Sequence, residues 1–216
     1  MATPTVENYL KALLALANGN GKVSISDLSK SLGVSTPSAN SMIKKLRDQG
    51  LVEYEKYKPV RLTKEGRKQA ALIVRKHRLT EMFLVERMGF GWEEVHAIAE
   101  QIEHVKSPGF FARMDELMGF PTTDPHGSPI PDTKGNIATM EHRRLSDCQV
   151  GETVNVVALA HSSNDFLHLM NDRKISLGTT ITILHKEDFD GSLTVKYAGY
   201  EQTNFSKIVG DCILVD

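Results

Sequence analysis

Two short helical runs, Ile25–Leu32 and Thr36–Gln49, with only Gly33, Val34 and Ser35 between them, constrain this chain more than any other stretch. Ser35 is a residue type that caps helix N-termini, Pro37 is tolerated in a first turn, and Gly50 ends the second run. Helices joined by so tight a glycine turn form a helix-turn-helix. Ahead of them, residues 4–18 have the spacing of an amphipathic helix, stopped by Gly19-Asn20-Gly21. Behind them, residues 51–63 read as two short strands with a basic tip, which makes the module winged.

Three-helix units also serve as protein-contact modules, so side-chain chemistry has to separate the alternatives. The second helix opens with Ser35, Thr36, Pro37, Ser38, Asn40 and Ser41, small polar groups able to approach base edges and phosphates. Lys44, Lys45 and Arg47 follow them, and Lys56, Lys58 and Arg61 lie in the wing, within reach of phosphates or a minor groove. Net charge is only −1, yet residues 1–62 hold nine Lys/Arg against five Asp/Glu, while residues 121–216 hold eight against thirteen. A polyanion partner therefore belongs at the N-terminal end, and double-stranded DNA is the expected one.

A second constraint lies in the stretch from His96 to His104, which has no Gly or Pro. At 100° per residue, His96, Glu100, Glu103 and His104 fall within an arc of about 100°, opposite Val95, Ile98, Ala99, Ile102 and Val105. Such groups are usually just the wet side of a helix. A further pair, His77 and Glu81, one turn apart on the helical run 64–88, raises the case for a divalent cation. Imidazole and carboxylate donors suit Mn, Fe or Zn. The two cysteines, Cys148 and Cys212, read as reduced and buried.

Residues 109–120 form another short helix carrying Phe110, Phe111, Met114, Leu117 and Met118, enough apolar surface for a core or for the seam of a homodimer. Residues 121–146 contain four of the eight prolines and read as a linker. Beyond it come short strands at 152–158, 179–185, 193–197, 201–205 and 212–215, with one helix at 165–171, the pattern of a small β-barrel. No run of about 18 apolar residues and no export signal is present, so a cytoplasmic protein with no membrane span is expected.

A winged helix-turn-helix followed by Lys-His-Arg-Leu-x-Glu (76–81), Val-His-x-x-Ala-x-x-x-Glu-His-Val (95–105), Pro-His-Gly-x-Pro-Ile-Pro (125–131) and a small barrel resembles the diphtheria toxin repressor family over the whole chain. The resemblance implies a mainly α protein with a small β part, in three domains. These are a winged helix-turn-helix domain (1–63), a helical metal-binding and dimerisation domain (64–136) and a C-terminal SH3-like β-barrel (147–216). It implies a metal-dependent homodimer that binds operator DNA and represses metal-uptake genes.

By position, the primary metal site implied uses Glu100, Glu103 and His104 with Asn8, or its neighbour Glu7, from the first helix. Iron-sensing members carry Met and Cys where this chain has Asn8 and Glu100, whereas manganese-sensing members carry Asp and Glu. Replacing sulfur by carboxylate hardens the site toward Mn2+. Fe2+ is the alternative, with Zn2+, Co2+ or Ni2+ as substitutes in vitro. Lys11 stands where one manganese-sensing subgroup has an additional Glu, which argues against its binuclear centre. An ancillary site is implied at His77, Glu81 and His96, completed by Asp124 or His126, with Asp165 as a contribution from the barrel beside the weaker Ser162 and His161. Without metal, Glu100 and Glu103 are expected to repel each other and leave the first helix free. Two rivals remain: a metal-dependent hydrolase, for which no other catalytic machinery is apparent, and a winged-helix regulator indifferent to metal.

Overall fold

A computed structural model describes residues 3–17 and 21–216, so residue 18 of the expected first helix and Gly19-Asn20 of its expected stop lie outside the described residues. The chain divides into two compact units, Met1–Thr80 with Ala97–Thr122 and Ile130–Ala138, and Glu81–His96 with Thr123–Pro129 and Thr139–Asp216.

In the first unit, α1 (Pro4–Leu16), α2 (Ile25–Ser31) and α3 (Thr36–Asp48) start at Thr3, Ser24 and Ser35, each with its hydroxyl accepting a first-turn N–H. Gly33 and Gly50 follow α2 and α3 with φ of +62° and +71°, a backbone that other residues adopt only with strain. The wing is smaller than its sequence suggests: β1 (Val52–Glu53) and β2 (Arg61–Leu62) pair antiparallel over two residues each. A Val23–Val60 bridge ties the wing's far edge to the segment before α2. Leu10, Leu13, Leu28, Ile43, Leu46 and Val60 are fully buried together, so the three helices and the wing share one core.

The run beginning at Lys64 forms one helix, α4 (Lys64–Met88), as its unbroken periodicity predicts. Its start is pressed against the wing's base: a Cβ on Gly66 would sit 1.9 Å from the Leu51 carbonyl oxygen. The stretch from His96 to His104, expected to be helical throughout, is regular only as far as Ile102, within α5 (Val95–Ile102). Glu103 and His104 lie in the turn that ends it, and residues 92–94 form a turn before it. Next, α6 (Pro108–Leu117) buries Phe111 and Met114 and leaves Phe110, Leu117 and nearby Phe120 exposed.

The second unit is built on a six-stranded antiparallel sheet in the order β3-β8-β4-β5-β6-β7. Its strands are β3 (Arg143–Arg144), β4 (Thr153–Leu159), β5 (Thr180–Lys186), β6 (Leu193–Tyr197), β7 (Tyr200–Phe205) and β8 (Ile213–Val215). Register shifts in the β4–β8, β5–β6 and β6–β7 pairings mark bulges, which let strands bend around a core. That core contains Val156, Leu167, Met170, Ile181, Ile183, Val195 and Phe205, with α7 (Asn164–Asp172) covering it. Strand β3 and the short α8 (Lys207–Cys212) were not anticipated.

The proline-rich segment 121–146 is not a featureless linker. Asp124 N–H donates to the Ser128 carbonyl at 2.9 Å, Ile130 N–H to Thr122 at 2.8 Å, and Asp132 N–H to Asn136 at 2.8 Å. Its prolines sit between hydrogen-bonded turns, where a missing N–H does no harm.

Candidate metal centre and nucleic-acid interface

On the outer face of α3, Ser35, Thr36, Pro37, Ser38, Ser41, Lys44 and Lys45 are all exposed. The Ser35 and Ser38 hydroxyls lie 2.8 Å apart, an arrangement that presents hydroxyls at a helix N-terminus, where phosphate oxygens bind well. Asn40 is half-buried: the Tyr54 hydroxyl donates to its Oδ1 at 2.6 Å, so this residue fastens the recognition helix to the wing. At the wing tip Lys56 and Lys58 are exposed; Lys58 pairs with Glu55 at 2.5 Å, and the Lys56 ammonium sits 4.8 Å from the ring centroid of Tyr57. A cavity of about 690 Å³ lies elsewhere, lined by Leu72, Leu79, Phe111 and Phe120, and takes in neither this face nor Glu100, Glu103 and His104.

In the first unit an acidic and imidazole cluster forms where α1, α4 and the end of α5 meet. Glu103 is fully buried, and its Oε2 accepts from the Lys11 ammonium at 2.9 Å and from His77 Nδ1 at 2.6 Å. Lys11 also donates to Glu100 Oε1 at 2.6 Å. The expected repulsion between Glu100 and Glu103 is thus offset by an ammonium placed between them, and α1 is already held. Atoms of His77, Glu100 and Glu103 that can ligate a cation lie within 4.8 Å of one another.

His104 Nδ1 is 2.6 Å from Glu7 Oε2. A carboxylate can only accept, so Nδ1 carries the proton and Nε2 holds the lone pair when the ring is neutral. Nε2 lies 3.7 Å from Glu103 Oε1. Glu7 therefore acts behind the imidazole as its orienting partner, the arrangement usual for metal-bound histidines. Among the described residues, two buried side-chain oxygens have no hydrogen-bond partner: Asn8 Oδ1 and Glu103 Oε1, the latter with the Lys11 ammonium at 2.8 Å as an ion-pair contact only. Buried oxygens left without hydrogen bonds are costly in water's absence and are what a hard cation takes. The residues present fit a divalent ion.

The second unit holds another group, Glu81, Asp124 and His126, all buried and with candidate ligand atoms within 4.8 Å of one another. Asp124 Oδ1 accepts the N–H groups of His126 and Ser128, both at 2.9 Å, closing a tight turn. Gly127 completes it at φ +85°, where a Cβ would meet the Val157 carbonyl at 2.4 Å. His126 Nε2 is 3.0 Å from the Trp92 carbonyl oxygen and must donate to it, which leaves the lone pair of the neutral ring on Nδ1. The Trp92 ring stacks on His126 at 5.9 Å, and its Nε1 donates to Asn171 at 2.7 Å. His96, mostly exposed, approaches Glu81 at 3.3 Å. Asp165, Ser162 and His161 are exposed at the start of α7, and Asp165 and His161 belong to none of the candidate metal-ligating groups found among the described residues.

Sequence reasoning missed the bridging part of Lys11, the orienting part of Glu7 and the carbonyl of Trp92. A signal existed for the first two: Glu7 and Lys11 are one turn apart on α1, hence on one face. Cys148 is buried in the sheet core, where burial pushes its thiol up, away from thiolate chemistry.

Family models match most of the chain in three pieces. They are an iron dependent repressor N-terminal DNA binding domain at residues 1–60, an iron dependent repressor metal binding and dimerisation domain at 63–132, and a FeoA domain at 143–216. The iron-dependent repressor IdeR of Mycobacterium leprae is 35% identical over 160 residues, covering 71% of this chain and 70% of that protein. The regulator MntR of Oceanobacillus iheyensis is 32% identical over 153 residues, covering 71% and 98%. Among solved structures, a manganese-dependent transcriptional repressor in complex with manganese superposes with a TM-score of 0.86 at 35% identity, covering 97% of this chain and 98% of the other. The manganese regulator SloR gives 0.77 at 29% identity, covering 100% and 99%. With its winged helix-turn-helix, its acidic and imidazole clusters and its C-terminal SH3-like FeoA domain, this chain belongs to the diphtheria toxin repressor family of metal-dependent transcriptional repressors.

Proposed function

We propose that this protein is a Mn2+-responsive repressor that binds double-stranded operator DNA as a homodimer and holds down genes for metal uptake. Its ligands are Glu100, Glu103, His104, His77 and the Asn8 amide oxygen at the primary centre, and Glu81, Asp124, His126 and His96 at a second. The observation that carries this is the buried Glu103 Oε1, left without a hydrogen bond 3.7 Å from Nε2 of the imidazole that Glu7 orients, and Asn8 Oδ1 on α1 is a second buried oxygen left without one. Carboxylate, amide and imidazole donors, with Cys148 and Cys212 taken up in the second unit, favour Mn2+ over softer ions. Fe2+ remains the second reading, supported by the similarity to an iron-dependent repressor. The exposed aromatic side chains Phe110 and Phe120 at α6 support self-association there.

A bound ion would supply positive charge that joins α1 to the end of α5. In the chain's own terms, Asn8 and Glu7 on α1 and Glu103 and His104 after α5 then constrain how the three-helix core, and α3 with it, is oriented. A hundredfold gain in operator affinity needs a coupling of about 2.7 kcal/mol. Glu103→Ala should abolish metal-dependent operator binding while the fold persists, as read by mobility shift and circular dichroism. An unchanged metal response overturns the assignment. Titration of Mn2+, Fe2+ and Zn2+ against both DNA affinity and metal stoichiometry decides between the two readings.

A further inference from the structure

The Lys11 ammonium lies 2.6 Å from Glu100 Oε1 and within 2.9 Å of both Glu103 oxygens, at a centre that the imidazoles of His77 and His104 also approach. Its side chain is only 19% exposed and Glu103 is not exposed at all, so this is a desolvated contact rather than a surface ion pair. We propose that Lys11 is a tethered cation that occupies the primary centre in the metal-free protein, and that a divalent ion binds there only by displacing it.

This inference rests on Glu100 and Glu103 being metal ligands. The three observations behind it are independent of one another. The ammonium takes Glu100 Oε1 and Glu103 Oε2, oxygens that an ion would need. The Glu103 carboxylate is buried, and the ammonium shares it with the imidazoles of His77 and His104. Lys11 lies one turn of α1 from Glu7 and Asn8, so its withdrawal and the engagement of Asn8 occur on one rigid helix face. Two positive charges at this spacing repel strongly in a low-dielectric site, so ammonium and ion exclude each other. The ion thus replaces a cation already present, and the response is set to a higher metal concentration than the bare carboxylates would give.

Lys11→Met keeps the stem and removes the charge. Metal titration by calorimetry on the full chain should show Mn2+ bound about tenfold more tightly than by the unaltered protein, since one competing charge is gone. The metal-free variant should melt at a lower temperature, because the contacts that the Lys11 ammonium makes with Glu100 and Glu103 are lost. A second measurement needs no variant: acetylation of the unaltered protein by an N-hydroxysuccinimide ester, read at Lys11 by peptide mass spectrometry, should rise when Mn2+ is added. If Lys11→Met binds Mn2+ with unchanged or weaker affinity, the proposal is overturned. Should that variant fail to fold, Lys11 labelling decides alone, and labelling that stays level or falls with Mn2+ rejects displacement. Mn2+ binding that is insensitive to Glu103→Ala overturns instead the ligand assignment beneath it.

Discussion

The two acidic clusters are assembled by opposite means. Around Glu103, the compensating groups are side chains brought from distant segments: Lys11 from α1 and His77 from α4. Around Asp124, they are backbone N–H groups two and four residues away, and His126 is fixed by a backbone carbonyl. A centre compensated by a separate helix changes when that helix moves, so it can report on and bias conformation. A tight turn keeps Asp124 and His126 in fixed geometry whatever the rest of their unit does, with Glu81 added from α4. The first is suited to switching and the second to support.

The largest effects test that division directly. Glu103→Ala should remove a metal response of about a hundredfold, whereas Glu81→Ala should reduce it by about tenfold, measured by operator mobility shift across a Mn2+ series. A larger loss from Glu81→Ala would invert the assignment of roles. Next in size, Gly127→Ala should destabilise by about 2–3 kcal/mol in chemical denaturation, since it adds a positive-φ strain and a clash with Val157 and Ala158 backbone. Wild-type stability would mean that the turn around His126 is pliant.

Asp124→Asn separates scaffold from ligand. Asn keeps an Oδ1 that accepts both N–H groups, so stability should change by less than about 0.5 kcal/mol, while loss of charge weakens metal binding at this group about tenfold. The smallest effect concerns acid. Lys207 and Ser146 beside Asp211 hold its carboxyl below the usual aspartate range. A carboxyl depressed in the folded state stabilises above its unfolded pKa, and that contribution is lost as pH falls through the folded value. Fluorescence of the single tryptophan, Trp92, should therefore report a slight loosening of the second unit only below the ordinary aspartate range, and Asp211→Asn should flatten it.

Much of this was readable from sequence where a local rule sufficed. Ser24 and Ser35 as caps, Gly33 and Gly50 as stops and the unbroken 64–88 run locate α2, α3 and α4 to within a residue or so. Strand β3 and α8 escaped for physical reasons. Arg143-Arg144 is too polar and short to signal a strand, and Gly210 inside α8 looks like a break although it is needed for packing against Ser146. Glu100, Glu103 and His104 stood out by spacing, but their partners are set by contacts spanning some ninety residues, as with Lys11 and Glu103. Glu7 and Asn8 are adjacent, so periodicity could not choose between them. Hydrogen-bond chemistry at His104 Nδ1 gives them different parts.

Gly66 lets the Leu51 carbonyl enter the space a side chain would fill, so α4 leaves the base of the wing without a joint. The lower turns of α4 and the DNA-reading module consequently swing as one lever. Under the proposed switch, a small tilt of those lower turns would reach α3 undamped, and stiffness rather than give would turn an event at Glu103 into a change of aim.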